Sequence, residues 1–226
     1  LNMANKNQRG NINVGYHILN IYMENEVSKF EIFLLNRYMA SELSGGLHLG
    51  KEARFVNDSF LIQKLTWHCM EEVRHALIWQ KLIKELNAPL KNIHDSEGDE
   101  YFSYLGEIKN TIDLLVFTHI FELRVPFHFS MYAKWTKNPK IKNVLEKLIP
   151  EEEPHLKWIR EYLEQEIEKG NPRVKESIEK FSKIEKETYY HDLDKLEQTG
   201  DEGISFVKLI KENLNDFEDN EKWWEK

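Results

Sequence analysis

Apolar residues along most of this chain recur every three or four positions, the period of helices buried on one side, and strict alternation is rare. Ile18, Leu19, Tyr22, Phe30, Phe33, Leu34, Tyr38 and Leu43 follow that spacing and predict a first helix over about 14–47. A second is predicted from the Asn57-Asp58-Ser59 cap to Leu86, ended by Asn87-Ala88-Pro89. Residues 88–109 carry Pro89, Asp95, Ser96, Gly98 and Asp99 and predict a long crossover. A third helix follows over about 111–136, and Asn138-Pro139 opens a fourth that ends near Gly170. Asn171-Pro172 sets the cap and first turn of a fifth, with Val174, Ile178, Phe181 and Tyr189 along one side. Ile204 to Leu214 is a last amphipathic stretch, followed by a charged tail with Trp223 and Trp224. The expected class is all-α. Residues 1–171 should form a four-helix bundle with one long connection between helices two and three. Residues 172–226 should form a helical extension of one or two helices packed on it.

Composition narrows the partners. Charged residues make up 31% of the 226, with only 10 Gly and 6 Pro, which favours helix. A net charge of −8 without any basic tract argues against nucleic acid as a partner. Cys69 is the single cysteine, so no disulfide within the chain and no Cys-rich metal module is expected. No apolar run approaches the roughly 18 residues of a membrane span and no signal peptide is visible, so a cytoplasmic protein away from membranes is expected.

One pattern carries chemistry. Glu-x-x-His occurs as Glu72-Val73-Arg74-His75 and again as Glu152-Glu153-Pro154-His155, and a Glu stands thirty residues before each, at Glu42 and Glu122. With 30 Glu and 9 His, chance supplies about one Glu-x-x-His, so one copy means nothing and the matched pair means much more. Set against itself at an offset of 80, the chain is identical at 11 of 56 positions from Glu31 to Leu86, five of them Glu or His. The core therefore reads as a duplicated helical hairpin. At about 100° per residue, i and i+3 lie on one face, so each Glu-x-x-His presents both side chains together. Four inward carboxylates stay buried only beside a cation. Carboxylate and imidazole without thiolate suit Fe(II) or Mn(II) better than structural zinc.

The pattern resembles that of the ferritin-like di-iron carboxylate superfamily, over residues about 14–169 and through those six positions. The resemblance implies Glu72 and Glu152 as metal-bridging carboxylates, Glu42 and Glu122 as terminal ones, and His75 and His155 as one imidazole per metal. It implies two iron ions as cofactor, with manganese the alternative, and O2 or H2O2 as co-substrate. The chain lacks the two cysteine pairs of a rubredoxin-type iron site, so electrons are expected from an external donor. The leading expectation is a dinuclear iron oxidoreductase, an oxygenase or oxidase acting on a small apolar organic substrate. An iron-handling ferroxidase or rubrerythrin-like peroxide scavenger is the alternative, and a non-enzymatic helical protein with a structural metal the third. A homodimer is the assembly allowed for.

Residues near the six are weighed separately. Glu71 and Glu151 precede the ligand Glu in both copies and are candidates to orient an imidazole. Tyr38 and Trp79 share ligand-bearing faces, as redox relay, pocket wall or core. His48 and His128 each fall six residues after a ligand Glu, where a regular helix points them away from the metals. Pro126 cannot donate to the Glu122 carbonyl, so helix three must loosen there, which is the one way His128 returns toward the site. Phe117, Phe121, Phe127 and Phe129 read as core that can also line an apolar cavity. Arg37, Arg74 and Arg124 can pair with carboxylates of the ligand region, with surface salt bridges the default.

Overall fold

The computed structural model describes residues 27–93 and 104–218. Among them every regular element is helical: α1 Lys29–Glu52, α2 Ser59–Glu85, α3 Thr111–Glu122, α4 Arg124–Trp135, α5 Pro139–Leu148, α6 Glu153–Glu168, α7 Pro172–Glu197 and α8 Asp201–Glu218. Short 3-10 turns occupy Tyr104–Glu107 and Ile149–Glu151. Of the described residues, no helix is long and apolar enough to cross a membrane.

Local chemistry sets the boundaries. The first helix does not run unbroken from position 14. Ser28 is extended, its hydroxyl accepts from the Glu31 N–H, and the Glu31 carboxylate accepts from the Ser28 N–H. That capping box starts α1 at Lys29, a signal the apolar spacing does not carry, and is worth about 1 kcal/mol. Positions 14–26, with Ile18, Leu19 and Tyr22, lie outside the described residues, as do Trp223 and Trp224. Asp58 caps α2 and Asn171 caps α7, as their sequences predict.

The predicted third helix is two. It breaks at Leu123, between α3 and α4, where Pro126 leaves the Glu122 carbonyl without its partner. The predicted fourth helix is also two, and here the expectation of a continuous element fails. Pro150 and Pro154 each lack an N–H, and the chain passes through the 3-10 turn between α5 and α6.

Two apolar clusters make up the core. One joins Phe30, Leu34 and Leu35 of α1 to Leu82 and Ile83 of α2, with α4, α5, the C-terminal part of α7, and α8. The other joins Leu49 of α1 to Leu61 and Leu65 of α2, with α3, α6 and the N-terminal part of α7. Both ends of α1 thus meet the opposite ends of α2, so this most extensive pairing is antiparallel. On each of these helical paths the residues between the clusters are the polar ones: Glu42 on α1, His68 to His75 on α2, Glu122 at the α3 break, Glu152 and His155 at the α6 start. A polar layer is held between two apolar ones. Val174, Ile178, Phe181 and Tyr189 of α7 are all buried, and α7 packs chiefly on α3, with α8 on α4 and α7.

Close approach of α1 and α2 depends on Gly46, where a Cβ would lie 3.0 Å from Glu72 Cβ, 3.0 Å from Val73 Cγ2 and 3.1 Å from the Cys69 carbonyl oxygen. Gly46→Val should therefore cost about 1–3 kcal/mol through overpacking and displace Glu72. Thermal melts and metal titration of the variant check this, and a wild-type midpoint with wild-type metal uptake would contradict the packing.

Candidate metal centre

Glu42, His68, Glu72, His75, Glu152 and His155 are all buried, and Glu122 is half-buried. His68, Glu72 and His155 bring ligand atoms within 4.8 Å of one another, and Glu42, His75 and Glu152 do the same. Each group can hold a metal ion. All six sequence-predicted positions thus meet at one place, Glu122 joining through an oxygen 3.1 Å from His68 Nε2. Two carboxylates touch both groups. Glu152 sets Oε1 3.3 Å from His75 Nδ1 and Oε2 3.4 Å from His155 Nδ1. Glu72 Oε1 lies 3.1 Å from His155 Nδ1, and the Glu72 carboxyl lies against that of Glu42.

His68 is the residue sequence reasoning missed. It stands four before Glu72, so it shares that face of α2, but the duplicated half has Leu148 at the matching position and the repeat gives no hint of it. Trp158 Nε1 donates to His68 Nδ1 at 3.3 Å, which leaves the ring proton on Nε2. Taking a metal through Nε2 therefore means moving that proton to Nδ1 and giving up the Trp158 bond.

The neighbouring candidates divide by contact. Arg74 Nη2 lies 3.3 Å from His75 Nε2 and Glu151 Oε2 3.2 Å from the same atom, so this pair flanks the side of the ring away from the other carboxylates. Glu71 touches neither imidazole; it accepts from Arg74 at 2.6 Å, and the same Arg74 nitrogen donates to Glu151 at 2.8 Å. Trp79 Nε1 donates to Glu42 Oε1 at 3.4 Å. Tyr38 packs on Trp79 with ring centroids 5.6 Å apart and hydrogen-bonds His128 Nδ1 at 3.1 Å. His128 does not return to the carboxylates despite the break at Leu123. His48 turns back on its own helix, with Nδ1 2.7 Å from the Ser44 carbonyl oxygen.

Burial and mutual charge set the protonation of this layer. Burial, then Glu72 and Glu152, push the Glu42 carboxyl well above its usual range. Burial raises Glu152 to about 7. Burial opposes ionisation of Glu72 as well, but His155 and His68 outweigh it and hold this carboxyl low. Burial likewise opposes a charged His155, yet Glu152 and Glu72 raise it to about 10, while burial lowers His75. The layer still leaves buried atoms with no hydrogen bond: His68 Nε2, His75 Nδ1, His155 Nδ1, Glu72 Oε1, Glu122 Oε2 and Glu152 Oε1. Buried polar atoms without hydrogen bonds that converge from α2, the end of α3 and the start of α6 mark a place where a cation could be held.

Against this layer lies a cavity of about 170 Å³. Glu42, Glu72, Glu122 and Glu152 form part of its wall, and Leu34, Phe117, Phe121, Val125 and Phe129 supply apolar surface. Phe127 packs against the core and is not among the lining residues. Helix α7 closes a side with Glu185, Tyr189, Asp192 and Leu196. Arg37 and Arg124 are not the surface cations expected. Arg37 pairs with Asp192 at 2.5 Å and Arg124 with Glu185, all of them shielded from water, because α7 covers the face that sequence periodicity left open. Comparison of the chain with family models, with curated proteins and with solved structures finds no match.

Metal entering this layer must displace protons from Glu42, Glu152 and His155, whose pKa values are all raised. Affinity should therefore fall as pH drops through about 7, where Glu152 takes up its proton, and rise toward alkaline pH. Titration calorimetry with Mn(II) in two buffers of different ionisation enthalpy should show proton release at pH 7.5. Identical heats in both buffers would contradict the protonation pattern.

Proposed function

We propose that this chain is a dinuclear metal oxidoreductase that activates O2, an oxygenase or oxidase acting on a small, largely apolar organic molecule. The observation that carries the reading is the convergence of buried carboxylates and imidazoles, in two groups whose ligand atoms lie within 4.8 Å of one another, beside an aromatic-walled cavity. Four carboxylates with imidazoles, and no thiolate, fit Fe(II) best and Mn(II) next. In the same reading α1, α2, α3 with α4, and α5 with α6 act as the four members of a ferritin-like bundle, with the crossover expected over 88–109 joining α2 to α3; residues 94–103 of it lie outside the described residues.

In this reading Glu42, Glu72, His75, Glu122, Glu152 and His155 would hold the two ions, with Glu72 and Glu152 the carboxylates shared between them. His68 is a further nitrogen available to one of these ions once its proton has moved. The ions supply the electrons for O2. The chain's own residues do the rest. Glu151, held by Arg74, keeps His75 in one ring orientation, and Trp79 steadies Glu42. Leu34, Phe117, Phe121 and Phe129 keep water sparse on the side where an organic molecule can lie. Electrons come from a separate protein or reductant. The cavity favours this reading over ferroxidase or peroxide-scavenging chemistry, which needs no organic pocket.

Anaerobic Fe(II) titration followed by exposure to O2 tests it. About two Fe(II) per chain should bind, and O2 should be consumed with a transient visible band. Iron oxidised with rapid peroxide turnover, and no effect of any organic molecule, would favour the scavenger; one inert metal or none would defeat both.

The roles separate by mutation. Glu72→Ala or Glu152→Ala should lose about one metal or more per chain, because a bridging carboxylate touches both ions. Glu71→Ala should keep its metal and change reactivity through Arg74 and Glu151. Iron counts by plasma emission on desalted protein decide, and two tightly held irons in Glu72→Ala would refute the bridging role.

A further inference from the structure

Two polar atoms on the cavity wall are not explained by the metal layer. His128 Nε2 and Tyr189 Oη are buried and make no hydrogen bond, and their rings stand 5.7 Å apart. They come from different elements, α4 and α7. A buried polar group without a hydrogen bond is costly, and both residues line the cavity.

The state of each group is set by its surroundings. Burial, then Arg37 and Arg124, push the His128 pKa down to about 3, so the ring is neutral. Tyr38 Oη lies 3.1 Å from His128 Nδ1, and a hydroxyl proton given to that atom puts the ring hydrogen on Nε2 and makes Nε2 a donor. Burial raises the Tyr189 phenol far above its usual range, so it keeps its proton. The Arg124 guanidinium lies 3.9 Å from the Tyr189 ring centroid and fixes the ring by its face.

Size and charge define what can enter. A cavity of about 150 Å³ lined by apolar side chains holds one benzene, and this one is about 170 Å³. It has room for a ring and a small polar group. Its cations are balanced on the spot, Arg37 by Asp192 and Arg124 by Glu185, so the wall presents no spare charge of either sign away from the metal layer.

We infer that the cavity binds a neutral molecule of single-ring size, whose one uncharged oxygen (hydroxyl, aldehyde or amide) accepts hydrogen bonds from His128 Nε2 and Tyr189 Oη. The apolar body then lies along Phe117, Phe121 and Phe129, beside the carboxylates. This names the substrate class for the proposed oxidoreductase and rests on that reading of the cavity, although binding itself needs no redox step. Tyr38 acts as a positioning residue by fixing the His128 tautomer.

Binding of five probes to the full chain, loaded with Fe(II) under argon, tests the inference: benzyl alcohol, benzamide, toluene, benzoate and benzylamine. Benzyl alcohol and benzamide should bind about fivefold or more tighter than toluene. Tyr189→Phe, which keeps the ring and its Arg124 contact, should remove about fivefold from the polar probes and leave toluene unchanged. In wild-type protein, imidazole 15N spectra should show His128 protonated at Nε2, with that signal moving when benzyl alcohol is added. The inference fails if a charged probe binds best, if Tyr189→Phe discriminates as wild type does, or if no probe binds at millimolar concentration. Iron stoichiometry and O2 uptake report the proposed function separately. Loss of those with Tyr189-dependent binding intact removes the oxidoreductase and keeps the pocket, and the reverse removes the pocket alone.

Discussion

Everything in this fold is arranged around the burial of Glu42, Glu72, Glu122 and Glu152 with His68, His75 and His155 in one layer. Charges taken from water must be neutralised or neutralise themselves. The layer does this through its protons: Glu42 and Glu152 are pushed toward the acid form while Glu72 stays ionised against His155. The apolar clusters on either side make that solution expensive to maintain, because they exclude the water that would otherwise satisfy the lone pairs. They also hold the layer in register. Both helical discontinuities fall beside it, at Leu123 after Glu122 and at the 3-10 turn before Glu152, so departures from regular helix occur where side chains must be aimed.

The two halves of the internal repeat do not give two equal groups of candidate ligands. His68 has Leu148 as its counterpart, Arg74 has Pro154, and Gly46 has Pro126. Each replacement changes geometry on one side. Gly46 lets α1 close on α2, whereas Pro126 opens the chain between α3 and α4. Arg74 ties Glu71 to Glu151 and so steadies His75, while His155 Nε2 has no hydrogen bond. One position is braced by carboxylate and guanidinium; the other has an extra imidazole close by. Unequal environments of this kind let two ions of one element differ in how readily they take a ligand.

Helix α7 joins the cavity to the rest of the molecule. Its apolar face covers α3, but Glu185, Tyr189 and Asp192 reach the cavity and pair with arginines from α1 and α4. Two buried ion pairs add little net stability over apolar packing, since desolvation offsets attraction. What they provide is registration: each fixes α7 against a helix that carries a layer residue or a cavity wall. Helix α7 is thus part of the cavity wall as well as a cover for it.

Helix type and the six Glu and His positions were legible because they depend on spacing within a helix, which a sequence states directly. The start of α7 and the loosening beside Glu122 were legible for the same reason, through Asn171-Pro172 and Pro126. The Ser28 box and Pro150 carried equally local signals, and the apolar pattern overrode them. His68 shared a face with Glu72 in the sequence, yet nothing but the meeting of α2 with α3 and α6 gives it Glu122 and His155 as neighbours. The same holds for Arg37 and Asp192, for Tyr38 and His128, and for the paired donors His128 and Tyr189. The sequence by itself determined which side chains share a helical face, since that is a matter of about 100° per residue. Which faces meet, and so which polar atoms are left buried without partners, was decided only by tertiary packing, because burial and desolvation belong to the assembled core and to no segment of it.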